Sequence, residues 1–203
     1  MKDVNVLMVG VGGQGVILAS DAMAEIGMNA GYDVKKTDSL GMAQRGGSVV
    51  SNVRWDKKVF SPMIKKGEVD FLMSFEEMEA ARWASYLRPG GVAIVADVTI
   101  IPVSAMSGPI SYPGWDRIKT VLTHYTDKVY LLPATRIGEE VKNPRALNMV
   151  MMGALSTFLD LDDKIWLEDI RHKVPSKFLD SSIQAFQKGA QVTKSMKDKG
   201  VPR

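Results

Sequence analysis

The residues best suited to chemistry lie in two glycine-rich stretches. The first, Gly10-Val11-Gly12-Gly13-Gln14-Gly15, has the spacing G-x-G-x-x-G. Gly10 permits a tight turn, Gly12 lets backbone approach a phosphate or carboxylate, and Gly15 lets a helix pack close to a strand. N–H groups exposed at a helix start, with a partial positive charge of about half a unit, favour an anion there. Asp38 follows roughly 20 residues later, where a dinucleotide site places the acid that meets a ribose hydroxyl. Gln14 is unusual in such a loop, because its amide can both donate to and accept from a ligand or neighbouring subunit.

The second stretch is Gly41-Met42-Ala43-Gln44-Arg45-Gly46-Gly47-Ser48. Arg45 offers a planar fork of donors to a carboxylate or phosphate. Gly46 and Gly47 let the chain bend closely around whatever Arg45 reaches, and Ser48 adds one donor. Each motif has a plain alternative: glycines that only shape a strand-to-helix turn, and an arginine in a surface ion pair worth little. Glu76, Glu77 and Glu79 are read as complements to a helix dipole rather than as an acid–base pair. Ser61-Pro62-Met63-Ile64, followed by Lys65 and Lys66, reads locally as a turn with solvated lysines. The 13 methionines, clustered at Met149, Met151 and Met152, read as core filler.

Composition removes several classes. The chain has no cysteine, so it holds no disulfide, thiol nucleophile, Cys-ligated zinc or ordinary iron–sulfur cluster. Its two histidines, His124 and His172, exclude a His-rich metal centre and show no triad pattern. The formal charge is +3, and five basic residues against Asp198 between Lys188 and Arg203 place that excess in the tail. That distribution argues against a nucleic-acid-binding face. No apolar run approaches the ~20 residues of a membrane span, and the start is read as a strand rather than a signal peptide. A cytoplasmic location is the expectation.

These loops need elements to hold them. Residues 4–9 form an apolar run, read as a buried strand. Val16, Ala19, Met23, Ile26 and Ala30 recur at helical spacing, and Gly31 suits the helix stop. Further strands are expected at 32–37, 48–55, 69–74, 92–96 and 129–132, with a return strand starting at Val59-Phe60. Residues 38–47 and 101–114 read as loops. Helices are expected at 76–87, 116–124, 144–159, 165–173 and 178–195. Strands alternating with helices imply an α/β fold with a mostly parallel sheet, helices on both faces and a helical C-terminal part. At 203 residues a single domain over 1–190 is the expectation, with a basic, frayed tail at 191–203. Ligands in such sheets bind beyond the carboxyl ends of the strands, so both glycine-rich stretches are expected there.

Three features taken together resemble a known family: the Gly10–Gly15 motif, the M-A-Q-R-G-G-S core at 42–48, and the stretch from Ser61-Pro62 through Phe75-Glu76 and Glu79-Ala80 to Leu87-Arg88-Pro89-Gly90-Gly91. The chain is similar to the gamma-type subunit of 2-oxoacid (pyruvate/ketoisovalerate) ferredoxin oxidoreductases, and its M-A-Q-R-G-G-S form is closest to the small (beta) subunit of the indolepyruvate branch. The resemblance implies a Rossmann-like unit without a catalytic base. It also implies a multisubunit enzyme that decarboxylates a 2-oxoacid on thiamine diphosphate, forms an acyl-coenzyme A and passes electrons through iron–sulfur clusters to ferredoxin. Thiamine diphosphate and clusters would sit on partner subunits, and this chain alone would bind none of them. Asn148, in Leu147-Asn148-Met149, matches a recurrent family position, whereas Ser182 stands where the family tends to show Asn. Two alternatives stay open: a free-standing NAD- or FAD-binding oxidoreductase using Gly10, Gly12, Gly15 and Asp38, and a module that binds no small molecule. Isolated, the chain is expected to dimerise through the face meant for its partner.

Overall fold

The computed structural model describes residues 3–40, 47–101 and 112–200. Met42, Gln44, Arg45 and Gly46 lie outside the described residues. Strand β1 (Val4–Val11) is buried along its whole length, which is why it reads as a largely apolar run. It feeds helix α1 (Val16–Asn29), after which Gly31 takes the left-handed conformation. Strands β2 (Asp33–Leu40) and β3 (Ser48–Asp56) follow, then β4 (Val69–Ser74), α2 (Glu77–Trp83), a short 3-10 turn and β5 (Leu87–Ala96). Helix α3 (Trp115–Thr123) leads to β6 (Val129–Leu132). Four helices close the chain: α4 (Ala134–Glu140), α5 (Leu147–Ser156), α6 (Asp163–Lys173) and α7 (Ser176–Asp198). No helix among the described residues is long and apolar enough to cross a membrane.

The six strands form one sheet in the order β2-β3-β1-β4-β5-β6. β1, β4, β5 and β6 are mutually parallel, whereas β3 is antiparallel to both β1 and β2. Alternate side chains of β1 serve opposite faces. Val6 and Met8 join a core with Met23, Ile26, Trp55, Met151 and Phe186 under α1 and the C-terminal helices. Leu7 and Val9 join Leu72, Val95, Ile118 and Leu122 under α2 and α3. The expected α/β architecture, with helices on both faces, is what the molecule has.

Four local expectations are corrected. β2 runs to Leu40, so Asp38 lies in a strand and not in a loop. No strand starts at Val59-Phe60: Val59 is tied down by its N–H to Asp33 Oδ2, while Phe60 projects into solvent at 90% exposure. Helix α4, which was not expected, fills the connection after β6. The basic tail is helical to Asp198, with Thr193 fully buried and Lys197 Nζ donating to the Thr157 carbonyl. Val192 and Met196 pack on the core, and that packing holds the last turns in place.

The chain leaves β1 through α1 toward one edge of the sheet and leaves β4 through α2 toward the other. The carboxyl ends of β1 and β4 therefore bound the switch point, where a crevice forms in open α/β sheets.

Candidate functional site at the sheet switch point

At the end of β1 the glycines form the turn from strand to helix. A Cβ on Gly10 would lie 2.8 Å from Gln14 Oε1 and 2.9 Å from Phe75 Cβ, so no side chain fits. Gly13 and Gly15 hold φ of 100° and 83°, the left-handed region that favours glycine. Gln14 is committed within the chain: its Oε1 accepts from the Val11 N–H at 2.7 Å and its Nε2 donates to the Phe75 carbonyl at 2.7 Å. It staples the end of β1 to the end of β4. No side chain caps α1, whose N-cap is Gly15. Its first N–H groups are thus the unpaired donors an anion would meet.

The second stretch returns to the same place. The Gly12 N–H donates to the Gly47 carbonyl at 2.9 Å, joining the two glycine-rich stretches directly. Ser48 Oγ donates to Glu79 Oε2 at 2.6 Å. Asp38 is not part of this assembly. β3 lies between β2 and β1, which puts Asp38 two strands, about 9–10 Å, from β1. Its Oδ1 accepts from Ser51 Oγ and its Oδ2 pairs with Lys36, which also holds Asp21 of α1. The inserted antiparallel strand is the physical reason that the acid expected at a ribose sits elsewhere.

Asn148 does come to the glycine turn, across 133 positions of sequence. A Cβ on Gly15 would sit 3.5 Å from Asn148 Cβ and 3.6 Å from its Nδ2. Asn148 is buried and also lines a cavity of about 250 Å³ between α1 and the C-terminal helices, with Leu18, Asp169, Lys173, Phe178 and Ser182. Burial pushes the Asp169 carboxyl up, although Lys173 Nζ lies 2.8 Å away. Ser182, where an asparagine was expected, is buried in the wall of this cavity.

Sequence reasoning missed the role of the acidic start of α2. Glu76 and Glu79 are buried and collect donors from distant segments, whereas Glu77 is buried with its carboxyl pushed up by desolvation, then by Glu76 and Asp97. Burial and the Glu76 carboxylate likewise raise the Tyr112 hydroxyl. The available signal was position: three carboxylates directly after the second parallel strand of a doubly wound sheet.

Residues 5–192 match the family model described as pyruvate ferredoxin/flavodoxin oxidoreductase. The chain belongs to this family. It is 34% identical to the indolepyruvate oxidoreductase subunit IorB of Thermococcus kodakarensis over 199 residues, covering 97% of this chain and 98% of that one. It is 31% identical to the 2-oxoglutarate synthase subunit KorC of Methanocaldococcus jannaschii, covering 92% of each. Its fold resembles that of the gamma subunit of a keto/oxoacid ferredoxin oxidoreductase from Geobacter sulfurreducens, with TM-score 0.69, 21% identity and coverage of 95% and 99%. A 2-oxoglutarate:ferredoxin oxidoreductase from Magnetococcus marinus gives TM-score 0.74 at 21% identity, and this chain spans 32% of it. The family resemblance read from the sequence is therefore borne out, and with it the class of the protein: a subunit of a 2-oxoacid:ferredoxin oxidoreductase.

Proposed function

We propose that this pyruvate ferredoxin/flavodoxin oxidoreductase family chain is the small, non-autonomous subunit of an indolepyruvate-type enzyme, and that its switch-point crest binds an anionic group at a site completed by a partner. The observation that carries this reading is the Gly12 N–H to Gly47 carbonyl bond. It brings both glycine-rich stretches to one edge, beside the uncapped start of α1 and the buried Asn148. Gly12, Gly13 and Gly15 supply main-chain approach. Arg45, three residues before Ser48, supplies the guanidinium for a substrate carboxylate or a cofactor phosphate. Met42, Gln44 and Gly46 belong to the same candidate contact surface by sequence alone.

Thiamine diphosphate supplies the decarboxylating chemistry in such an enzyme, and iron–sulfur clusters carry electrons to ferredoxin. By the family resemblance both groups sit on partner subunits, and a chain without cysteine and with two histidines agrees with this for the clusters, since it has no ordinary donor set for one. Coenzyme A enters as the acyl acceptor, and the complex works in the cytoplasm. The free-standing dinucleotide enzyme loses its ribose-binding acid, because Asp38 is spent on Ser51 and Lys36. The isolated chain is expected to dimerise, since Phe60 and Met63 leave apolar surface for a second copy to cover.

The test is activity by parts. The purified chain with thiamine diphosphate and an oxoacid should reduce no acceptor, whereas the chain assembled with its co-expressed large subunit should. Arg45→Ala in the assembled enzyme should raise KM about tenfold or more, as loss of a charge-assisted contact does. Turnover by the isolated chain, or an Arg45→Ala enzyme with unchanged KM, would count against the reading.

A further inference from the structure

Residues 57–68 join the end of β3 to the start of β4 in the sequence KKVFSPMIKKGE, two lysine pairs about an apolar centre. The fold sorts the apolar residues into two groups. Val59 and Ile64 turn inward, at 5% and 2% exposure, and Ile64 joins Leu7, Val50 and Leu72 in the core. Phe60 and Met63 turn outward, at 90% and 60%.

The loop is fixed to the sheet along its length. The Val59 N–H donates to Asp33 Oδ2 at 2.9 Å and the Ile64 N–H to Asn52 Oδ1 at 3.3 Å. Arg54, on β3, donates from Nη1 to the carbonyls of Ser61 and Met63 and from Nε to Asn5 Oδ1. The Gly67 N–H donates to the Tyr86 carbonyl at 3.0 Å, with Gly67 in the left-handed conformation. Single exposed apolar side chains are ordinary on a protein surface. An aromatic held out on a fixed loop differs from these, because it loses little conformational entropy when a pocket receives it, as an anchor residue does.

Charge says what kind of surface receives it. Lys57, Lys58, Lys65 and Lys66 against Glu68 give these 12 residues a formal +3, as much as the whole chain carries. All four lysines are exposed, and none is held in an ion pair with another described residue. Beside the loop lies a hollow of about 460 Å³, in whose walls Arg54, Lys58 and Lys65 outnumber Asp3 and Asp56. A projecting aromatic, a basic hollow and a lysine rim complement an apolar socket edged with carboxylates.

We infer that the 57–68 loop is a docking anchor for an acidic face of the partner subunit, with Phe60 and Met63 seated in an apolar socket and the lysines on its carboxylate edge. The inference rests on the reading that this chain works within a multisubunit enzyme. The loop lies at the opposite end of β1 from the glycine turn, about 23 Å away by the length of that strand. Docking here sets how fast the complex forms and how long it lasts, and leaves the crest as it is.

Subunit exchange tests it. The complex made by co-expression, carrying labelled small chain, is chased with excess unlabelled chain. Phe60→Ser should leave the complex about tenfold or more faster, as loss of a buried aromatic anchor does. The Lys57→Glu/Lys58→Glu/Lys65→Glu/Lys66→Glu variant should enter it about tenfold more slowly at about 50 mM salt, and within about twofold of wild type at about 0.5 M. Val121→Ser, which trims another exposed apolar residue on α3, should do neither. Both loop variants should keep the Tm of the isolated chain and the KM of the complex that forms. A wild-type exit rate for Phe60→Ser, or a wild-type entry rate for the lysine variant at low salt, overturns the inference. So does binding of the chain to phosphatidylserine vesicles, or loss of its self-association in Phe60→Ser, where exchange is unchanged: these give the loop to a lipid surface or to a second copy. If the wild-type complex turns over no oxoacid, the functional reading falls and the exchange rates alone decide the docking.

Discussion

Three neighbouring carboxylates at the start of α2 show two fates of a buried acid. Glu76 and Glu79 accept hydrogen bonds from donors in place, while Glu77 is buried beside Glu76 and Asp97 and its carboxyl is pushed up. A folded-state value above the unfolded one means the fold binds that proton more tightly. Stability from this group is therefore present below the ordinary carboxylate range and is lost as pH rises through the raised value. Glu77→Gln should accordingly raise Tm at pH 7 by a few degrees. The gain should vanish below about pH 4, where both states are protonated. A thermal shift that is equal at pH 7 and pH 4 would refute the assignment. At this scale the sequence disclosed the glycines, because their roles follow from backbone sterics within a few residues. It did not disclose the intrachain partners of Gln14 and Asp38, because the Phe75 carbonyl and Ser51 reach them only in the folded chain.

Between elements, α5 packs along α7 with almost no space for side chains at the crossing. A Cβ on Gly153 would stand 1.9 Å from the Phe186 carbonyl oxygen, and one on Gly189 would stand 2.1 Å from that of Val150. Gly153→Ala should thus destabilise by about 3 kcal/mol or more, at the upper end of overpacking costs, read as a lower urea midpoint at unchanged slope. A midpoint within error of wild type would show that the helices separate without penalty. Most elements were legible because both-face burial writes a largely apolar run, as in β1 and the second half of β5. β2 was cut short in the reading because its sequence, DVKKTDSL, is polar: it is an edge strand whose Lys35, Lys36 and Asp38 face ion partners and solvent. Val59-Phe60 looked like a strand from apolarity alone, yet no neighbouring strand pairs with it among the described residues.

For the molecule as a whole, the C-terminal helix is part of the body. Removing residues 191–203 would strip Val192, Thr193 and Met196 from the core and the Lys197 contacts from Thr157 and the Phe158 ring. The truncated chain should lose about 2–4 kcal/mol, by the area of apolar side chain exposed. Truncation without a change in Tm would mean that the tail is as loosely held as its charge suggested. The high net charge of that segment concealed its buried stripe, since Lys194 and Lys197 share the helix with apolar positions at helical spacing.

The sequence by itself determined the fold class, the glycine turn and the family, since these depend on local sterics, on the period of apolar residues and on motif order along the chain. Only the tertiary structure decided which polar groups meet. It inserted β3 between Asp38 and β1, brought Asn148 against Gly15, and gave Glu76 to Ile100 and Tyr112 and Glu79 to Ser48. Those pairings join residues far apart in sequence, and a hydrogen bond depends on separation in space, which the order of residues does not encode locally.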